Sequence, residues 1–120
     1  MSDNEKKHLE IDALGEFGLI ETLTKEATLK NPSSILGVGD DAAEIELSSK
    51  ESMLVSSDML VEGVHFNLSY VPLKSLGFKA VSVNVSDIFA MNGKPKQLTV
   101  SLGVSSKFPV DALEELYKGI

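Results

Sequence analysis

The chain contains no cysteine, and its eleven basic residues are all lysines. The absence of cysteine excludes disulfides, zinc–thiolate sites and thiol catalysis. The absence of arginine removes the planar guanidinium that binds a phosphate through two parallel hydrogen bonds. Because the net charge is −7, nucleic acid is not an expected partner. Any phosphate chemistry must therefore depend on lysine, on backbone amides or on a metal ion held by oxygen ligands.

The sequence also lacks an apolar run of membrane-spanning length, and its first ten residues are polar where a signal peptide needs an apolar stretch. We therefore expect no membrane partner and a cytoplasmic location. A chain of 120 residues with 42% apolar residues suits one compact domain. Residues 1–13 show no periodicity and are interpreted as a mobile leader, which leaves residues 14–120 as the domain.

Hydrophobic periodicity predicts three helices and three strands. The helices are expected at residues 15–29, 73–91 and 110–120, and the second has apolar residues over so broad a surface that we expect it to be nearly fully buried. The strands are expected at residues 42–47, 53–66 with a bend at Gly63, and 97–104. These elements predict an α/β (α+β) fold, with one mixed sheet and its helices on a single face. The other sheet face would be bare and apolar, which normally marks an interface.

Three acidic positions stand apart from the solvated charges. Asp41 follows a glycine turn, Asp58 follows a buried apolar run, and Asp87 lies within the apolar second helix. Each also has an ordinary interpretation: a turn residue for Asp41, a residue capping the next turn for Asp58, and a salt bridge for Asp87. The salt bridge would need a lysine, such as Lys79, because the chain has no arginine.

A carboxylate buried without a partner is costly, so Asp87 requires a lysine, a cluster of backbone amides or a cation. If the three acids converge, their repulsion raises their pKa values unless divalent ions hold them ionised. Magnesium fits this need, since it takes oxygen ligands from a few carboxylates and from substrate phosphates. Ser56 and Ser57 would add oxygen ligands beside Asp58, although a serine pair at a strand end is ordinary by itself.

Other motifs are weaker. Residues 37–42 satisfy the loose dinucleotide pattern G-x-G-x-x-A, but two carboxylates would lie where the pyrophosphate should meet backbone amides. The P-loop pattern G-x-x-x-x-G-K-[ST] does not occur. His65 lies at an expected strand end, where an isolated histidine is more often a surface or packing residue than a functional one.

Taken together, four motifs resemble the amino-terminal domain of the aminoimidazole-ribonucleotide-synthetase superfamily. They occupy residues 15–20, 37–43, 56–66 and 79–91, and Pro95 follows the last of them. Within that superfamily the chain is similar to the branch of kinases that phosphorylate thiamine monophosphate. The expected pair of small residues after the second helix is replaced by Asn92 and Gly93, which puts the local turn in doubt.

The resemblance implies an ATP-dependent kinase with Mg²⁺ as cofactor, ATP and thiamine monophosphate as substrates, and thiamine diphosphate as product. It implies that Asp41, Ser56, Ser57, Asp58 and Asp87 bind magnesium and that His65 contacts thiamine monophosphate. It also implies a homodimer in which two sheets close into one barrel. Because the second half of such a protein is missing here, we expect the chain to be an amino-terminal fragment that is inactive alone.

Two alternatives remain open. Other ATP-using enzymes of the superfamily are disfavoured, since the selenophosphate-forming branch needs a reactive cysteine or selenocysteine, and residues 62–66 look like the kinase version of this segment. A different class of function is a metal-binding or dimerisation module without catalysis.

Overall fold

The structure is a computed structural model that describes residues 10–120. Most of the predicted leader, residues 1–9, lies outside the described part, and Ile11–Ala13 form a single 3-10 turn. The chain divides into two compact units, Met1–Lys30 and Asn31–Ile120. Every helix within residues 10–120 is too short or too polar to span a lipid bilayer.

The first unit contains helix α1, Gly15–Thr24, which ends five residues before the predicted end. Near its end the hydroxyls of Thr22 and Thr24 each donate to the carbonyl oxygen four residues earlier, at 2.7 Å. Such back-bonding slightly destabilises a helix, and branching at Cβ adds to the effect. The predicted extension to residue 29 was therefore wrong.

The second unit contains a three-stranded antiparallel sheet in the order β1-β2-β3. The strands are Ser34–Leu36, Ala43–Ser48 and Glu51–Val55. β1 was not predicted, and the sheet is antiparallel where a mixed one was expected, because short connections join consecutive strands as hairpins. The α+β class is confirmed.

β3 is much shorter than the predicted strand of residues 53–66. The chain leaves the sheet after Val55, and the side chain of Ser56 donates to the backbone oxygen of Asn84 in the second long helix at 3.4 Å. The rest of the predicted strand includes a tight turn at residues 61–66, where Gly63 has a φ of 78°. Glycine adopts this conformation without strain, so the chain forms a tight loop where a bent strand was expected.

The predicted strand at residues 97–104 is also absent: within the described chain, this segment has no strand partner. Its alternating apolar side chains are 43–55% exposed, and they are Leu98, Val100, Leu102 and Val104. Alternation assigns side chains to two faces, but a strand also needs a neighbouring backbone to pair its amides and carbonyls. The pattern alone does not supply that neighbour.

Two further helices complete the unit: α2, Leu73–Ala90, and α3, Val110–Tyr117. Both predictions are confirmed to within three residues at the ends. After α2, Asn92 takes a left-handed conformation with a φ of 55°. The amides of Asn92 and Gly93 then donate to the carbonyls of Phe89 and Ile88, at 2.9 and 2.8 Å. This is a Schellman cap, and it explains how Asn replaces the expected small residue.

Helices α2 and α3 pack through glycine. Leu76 and Leu116 are 7% and 8% exposed, and a Cβ built on Gly77 would overlap the carbonyl oxygen of Leu116. The expectation that α2 is nearly fully buried was wrong, since only Leu76 and Gly77 of this helix are buried. Phe78 is 68% exposed, so much of the apolar surface of α2 has no neighbour within the described residues.

We predict that Gly77→Ala lowers the free energy of unfolding by about 1–3 kcal/mol, the usual cost of forcing an extra carbon into a packed contact. The added methyl group would meet backbone atoms of α3, which cannot move away as the end of a side chain does. Chemical denaturation followed by circular dichroism would measure the change.

Gly103→Ala is the matched control, because a Cβ at Gly103 meets nothing within 4 Å. Its denaturation midpoint should equal that of the wild type or exceed it slightly. Equal midpoints for Gly77→Ala and Gly103→Ala would contradict the close packing of α2 on α3.

Candidate metal centre

Two carboxylates from distant parts of the sequence meet beside α2. Asp58 lies three residues after the end of β3, and Asp87 lies in the last turn of α2. Asn84 precedes Asp87 by three residues and therefore lies on the same side of the helix. The hydrogen bond from Ser56 to the carbonyl of Asn84 fixes the chain after β3 against this side. Because Asp58 follows Ser56 by two residues, the same contact brings Asp58 close to Asp87.

The surroundings of Asp87 raise the pKa of its carboxyl above the ordinary value. Partial burial is the largest cause, followed by the charge of Asp58 and a hydrogen bond between the two side chains. A hydrogen bond between two carboxyl groups requires a shared proton. The Asp87 carboxyl therefore binds a proton more tightly than an isolated aspartate does, which is what its raised pKa means.

Within residues 10–120 no lysine neutralises this pair. The one ion pair of the described chain joins Lys118 and Glu115 on α3, where it lowers the pKa of Glu115. The ammonium of Lys79, a suggested partner of Asp87, instead donates to the carbonyl oxygen of His65 at 2.7 Å. Two adjacent carboxyl groups without a protein cation offer the oxygen ligands that magnesium prefers. The donor set therefore fits such an ion.

The third predicted acid, Asp41, lies just before β2. Ala43 pairs with Val55 in the β2–β3 ladder, so Asp41 and Ser57 lie at the same end of this hairpin. Within the described residues, no three acidic or histidine side chains form a group that could hold a metal. The structure thus brings together Asp58 and Asp87 alone, and the ligand roles of Asp41, Ser56 and Ser57 stay predictions.

The predicted ligands and their neighbours in the sequence differ in their exposure and hydrogen bonds. Asp40 has a turn role, since its Oδ1 accepts the amide hydrogen of Asp41 at 2.9 Å. Ser57 and Asp58 are exposed, whereas Ser56 is half-buried against α2. Ala42, next to Asp41, is 3% exposed and anchors the start of β2.

His65 lies in the tight turn of residues 61–66 and is exposed. The imidazole Nδ1 accepts the backbone N–H of Val61 at 2.9 Å. The backbone N–H of His65 donates to the carbonyl of Val61, also at 2.9 Å. A neutral imidazole with Nδ1 as acceptor carries its proton on Nε2. The turn therefore presents an N–H donor to an exterior acceptor. The bond from Lys79 to His65 was not predictable from the sequence, because it spans fourteen residues and ends on a backbone oxygen.

The raised pKa of Asp87 predicts how stability depends on pH. The folded state binds a proton more tightly than the unfolded state, so this group stabilises the fold least once pH rises through its raised pKa. Asp87→Asn should therefore increase the free energy of unfolding at neutral pH without metal, by up to about 1 kcal/mol. The gain should shrink as pH falls and the wild-type carboxyl becomes protonated.

Adding magnesium should reverse the order, since an ion that binds the folded state stabilises the wild type and not Asp87→Asn. Thermal unfolding over a pH series, with and without magnesium, measures both effects. Glu46→Gln removes one charge at an exposed position of β2 and serves as the control. If Asp87→Asn and Glu46→Gln respond alike at every pH, the two acids do not interact.

Residues 39–120 match the family described as AIR synthase related protein, N-terminal domain. A thiamine-monophosphate kinase of Aquifex aeolicus is 42% identical over 112 residues, which cover 93% of this chain and 34% of that protein. One from Bacillus subtilis is 40% identical over 107 residues, covering 89% of this chain and 33% of that protein. One from Escherichia coli K12 is 38% identical over 90 residues, covering 75% and 27%.

The chain spans about a third of the length of the first two of these relatives. No significant match to a solved structure was found. The family match covers more than half of the chain and includes Asp41, Asp58 and Asp87. The chain therefore belongs to the AIR synthase related protein family and corresponds to its N-terminal domain.

Proposed function

We propose that the chain is the amino-terminal, metal-binding part of a kinase that transfers the γ-phosphoryl group of ATP to thiamine monophosphate and forms thiamine diphosphate. The observation that carries the proposal is the meeting of Asp58 and Asp87 without a protein cation in the described range. Relatives at 38–42% identity that are named thiamine-monophosphate kinase support the choice of substrate. A kinase without arginine in this segment needs another source of positive charge near the phosphates.

Asp58 and Asp87 would hold Mg²⁺, with Asp41, Ser56 and Ser57 as further oxygen ligands. When bound, the ion supplies positive charge that offsets the repulsion between two anionic phosphate groups. The acceptor oxygen of a phosphate monoester is already anionic at neutral pH, so the reaction needs no strong general base. We accordingly assign no residue of this chain as a base.

His65 contributes to binding of the acceptor in this proposal. Because its Nδ1 accepts from Val61, the neutral ring has Nε2–H free to donate to an oxygen of thiamine monophosphate. His65 lies in the 61–66 turn, seven residues beyond Asp58 along the chain. Its assignment to the acceptor and not to ATP follows from the resemblance of residues 62–66 to the kinases that act on thiamine monophosphate.

Asp87→Asn is predicted to lower magnesium-dependent kcat/KM by about 100-fold or more in the polypeptide that contains this chain, because it removes a charge that the ion requires. Steady-state formation of thiamine diphosphate, with circular dichroism as the folding check, measures the effect. Glu46→Gln should retain activity. Near-normal turnover of Asp87→Asn across the magnesium range would overturn the proposal. The 120 residues alone should give no product, since their relatives are about three times longer.

We further infer that the chain forms a homodimer through its sheet. Leu54 of β3 contacts Gly93 after α2, so the sheet face that carries Leu54 points toward α2. Residues on adjacent positions point the other way. The register places a band of apolar side chains on that opposite face: Ala43, Ile45, Met53 and Val55. Met53 and Val55 are 43% and 46% exposed, which leaves this face open to a second copy.

Met53→Lys should weaken this dimer, because it places a charge in the centre of the apolar face. Ser52→Lys is the matched control, since Ser52 pairs with Glu46 and lies on the same face as Leu54, away from the apolar face. Sedimentation at micromolar concentration should show a dimer for the wild type and Ser52→Lys and a monomer for Met53→Lys. A wild-type monomer without concentration dependence would refute the shared sheet.

A further inference from the structure

The turn that carries His65 is closed by its own backbone. The amides of Val64 and His65 both donate to the carbonyl of Val61, at 3.1 and 2.9 Å, and the amide of Gly63 donates to the carbonyl of Phe66 at 2.8 Å. The imidazole adds a fourth bond through Nδ1. These bonds fix the shape of the turn, but all of them lie within it. They do not determine where the turn lies relative to the acids.

Lys79 supplies the missing connection. Its Nζ donates to the carbonyl oxygen of His65 at 2.7 Å and joins the turn to α2. Across the part of the chain that the structure covers, this is the one side-chain hydrogen bond between residues 61–66 and α2. An ammonium group that donates to a carbonyl forms one of the stronger types of hydrogen bond.

The position of Lys79 on α2 relates the turn to the acid pair. Asp87 lies eight residues further along the same helix, which corresponds to about 12 Å along the axis. Because α2 is one continuous helix from Leu73 to Ala90, its backbone keeps this separation fixed. A contact at Lys79 therefore limits how far His65 can lie from the Asp58–Asp87 pair.

We propose that Lys79 is a positioning residue that holds the 61–66 turn against α2, so that the Nε2–H of His65 is kept at a fixed separation from the Asp58–Asp87 pair. The ligand that this arrangement suits is a phosphate monoester, with His65 donating to a phosphate oxygen near the acids. This inference rests on the proposed function for the identity of the ligand. The link from Lys79 to His65 stands on geometry alone.

Both side chains are exposed, so loss of the link should affect the site more than the global fold. Lys79→Met keeps the aliphatic stem and removes the donors, whereas Lys79→Arg keeps a cationic donor. Lys74→Met is the matched control, since Lys74 is an exposed lysine in the first turn of the same helix.

The first measurement is the nitrogen NMR spectrum of the His65 imidazole in the full chain, which reports the tautomer directly. The wild type, Lys74→Met and Lys79→Arg should show the proton on Nε2, with Nδ1 as acceptor. Lys79→Met should keep the proton on Nε2, because the bond from Val61 to Nδ1 lies within the turn, but should show shifted or exchange-broadened imidazole resonances as the turn moves relative to α2. An unchanged His65 spectrum in Lys79→Met would overturn the positioning role, whatever the substrate proves to be.

The second measurement is steady-state kinetics of the polypeptide that contains the chain. Lys79→Met should raise KM for thiamine monophosphate about 5- to 10-fold, the effect of one lost hydrogen bond, with little change in KM for ATP. Lys79→Arg should restore most of the affinity. Equal increases in both KM values, or no rescue by arginine, would overturn the role.

His65→Ala separates this proposal from the proposed function. If His65→Ala leaves KM for thiamine monophosphate unchanged, His65 does not contact the acceptor and that part of the proposed function fails. The imidazole spectrum of Lys79→Met still decides the positioning role in that case.

Discussion

The candidate site depends on one constraint, the partly buried carboxyl of Asp87 beside Asp58. Asp87 lies in the last turn of α2, where the helix dipole is negative and disfavours a further negative charge. Partial burial and the neighbouring carboxylate act in the same direction and raise the pKa of Asp87. A sequence that places an acid under three unfavourable influences gains from a divalent cation, and the described residues provide no lysine in its place.

Holding two such acids together requires a rigid support. α2 provides it, because one end is fixed by the close contact with α3 at Gly77 and the other by the Schellman cap at Asn92. The same cap brings Gly93 against Leu54 of β3, while Ser56 bonds to the carbonyl of Asn84. Thus the segment of residues 54–56 contacts α2 before Asp87, at Asn84, and the chain after α2 at Gly93. The close contacts at Gly77 and Gly93 therefore also determine where the two acids lie.

The sequence predicted the features that depend on local pattern and elementary electrostatics. Apolar periodicity predicted helices α2 and α3. The position of Asp87 among apolar residues predicted that its carboxylate would be unfavourable without a partner. Features that depend on a distant partner were not predictable: β3 ends at Val55 because Ser56 turns onto α2, and residues 97–104 lack a neighbouring backbone. The link from Lys79 to His65 was missed for the same reason, since its acceptor is a backbone oxygen.

The exposed apolar face of β3 and the acid pair are connected through the chain. In the described residues the buried apolar side chains are Ala42, Leu76 and Leu116, whereas Met53 and Val55 remain over 40% exposed. Burial of large apolar side chains is the main force that stabilises a fold. In the proposed dimer, the second copy would cover this face of β3, the strand that leads to Asp58, and add to its stability. Since Asp58 follows β3 by three residues, covering β3 would also restrict the position of Asp58. Assembly and metal binding would then stabilise each other, as linkage requires of two events that favour the same folded state.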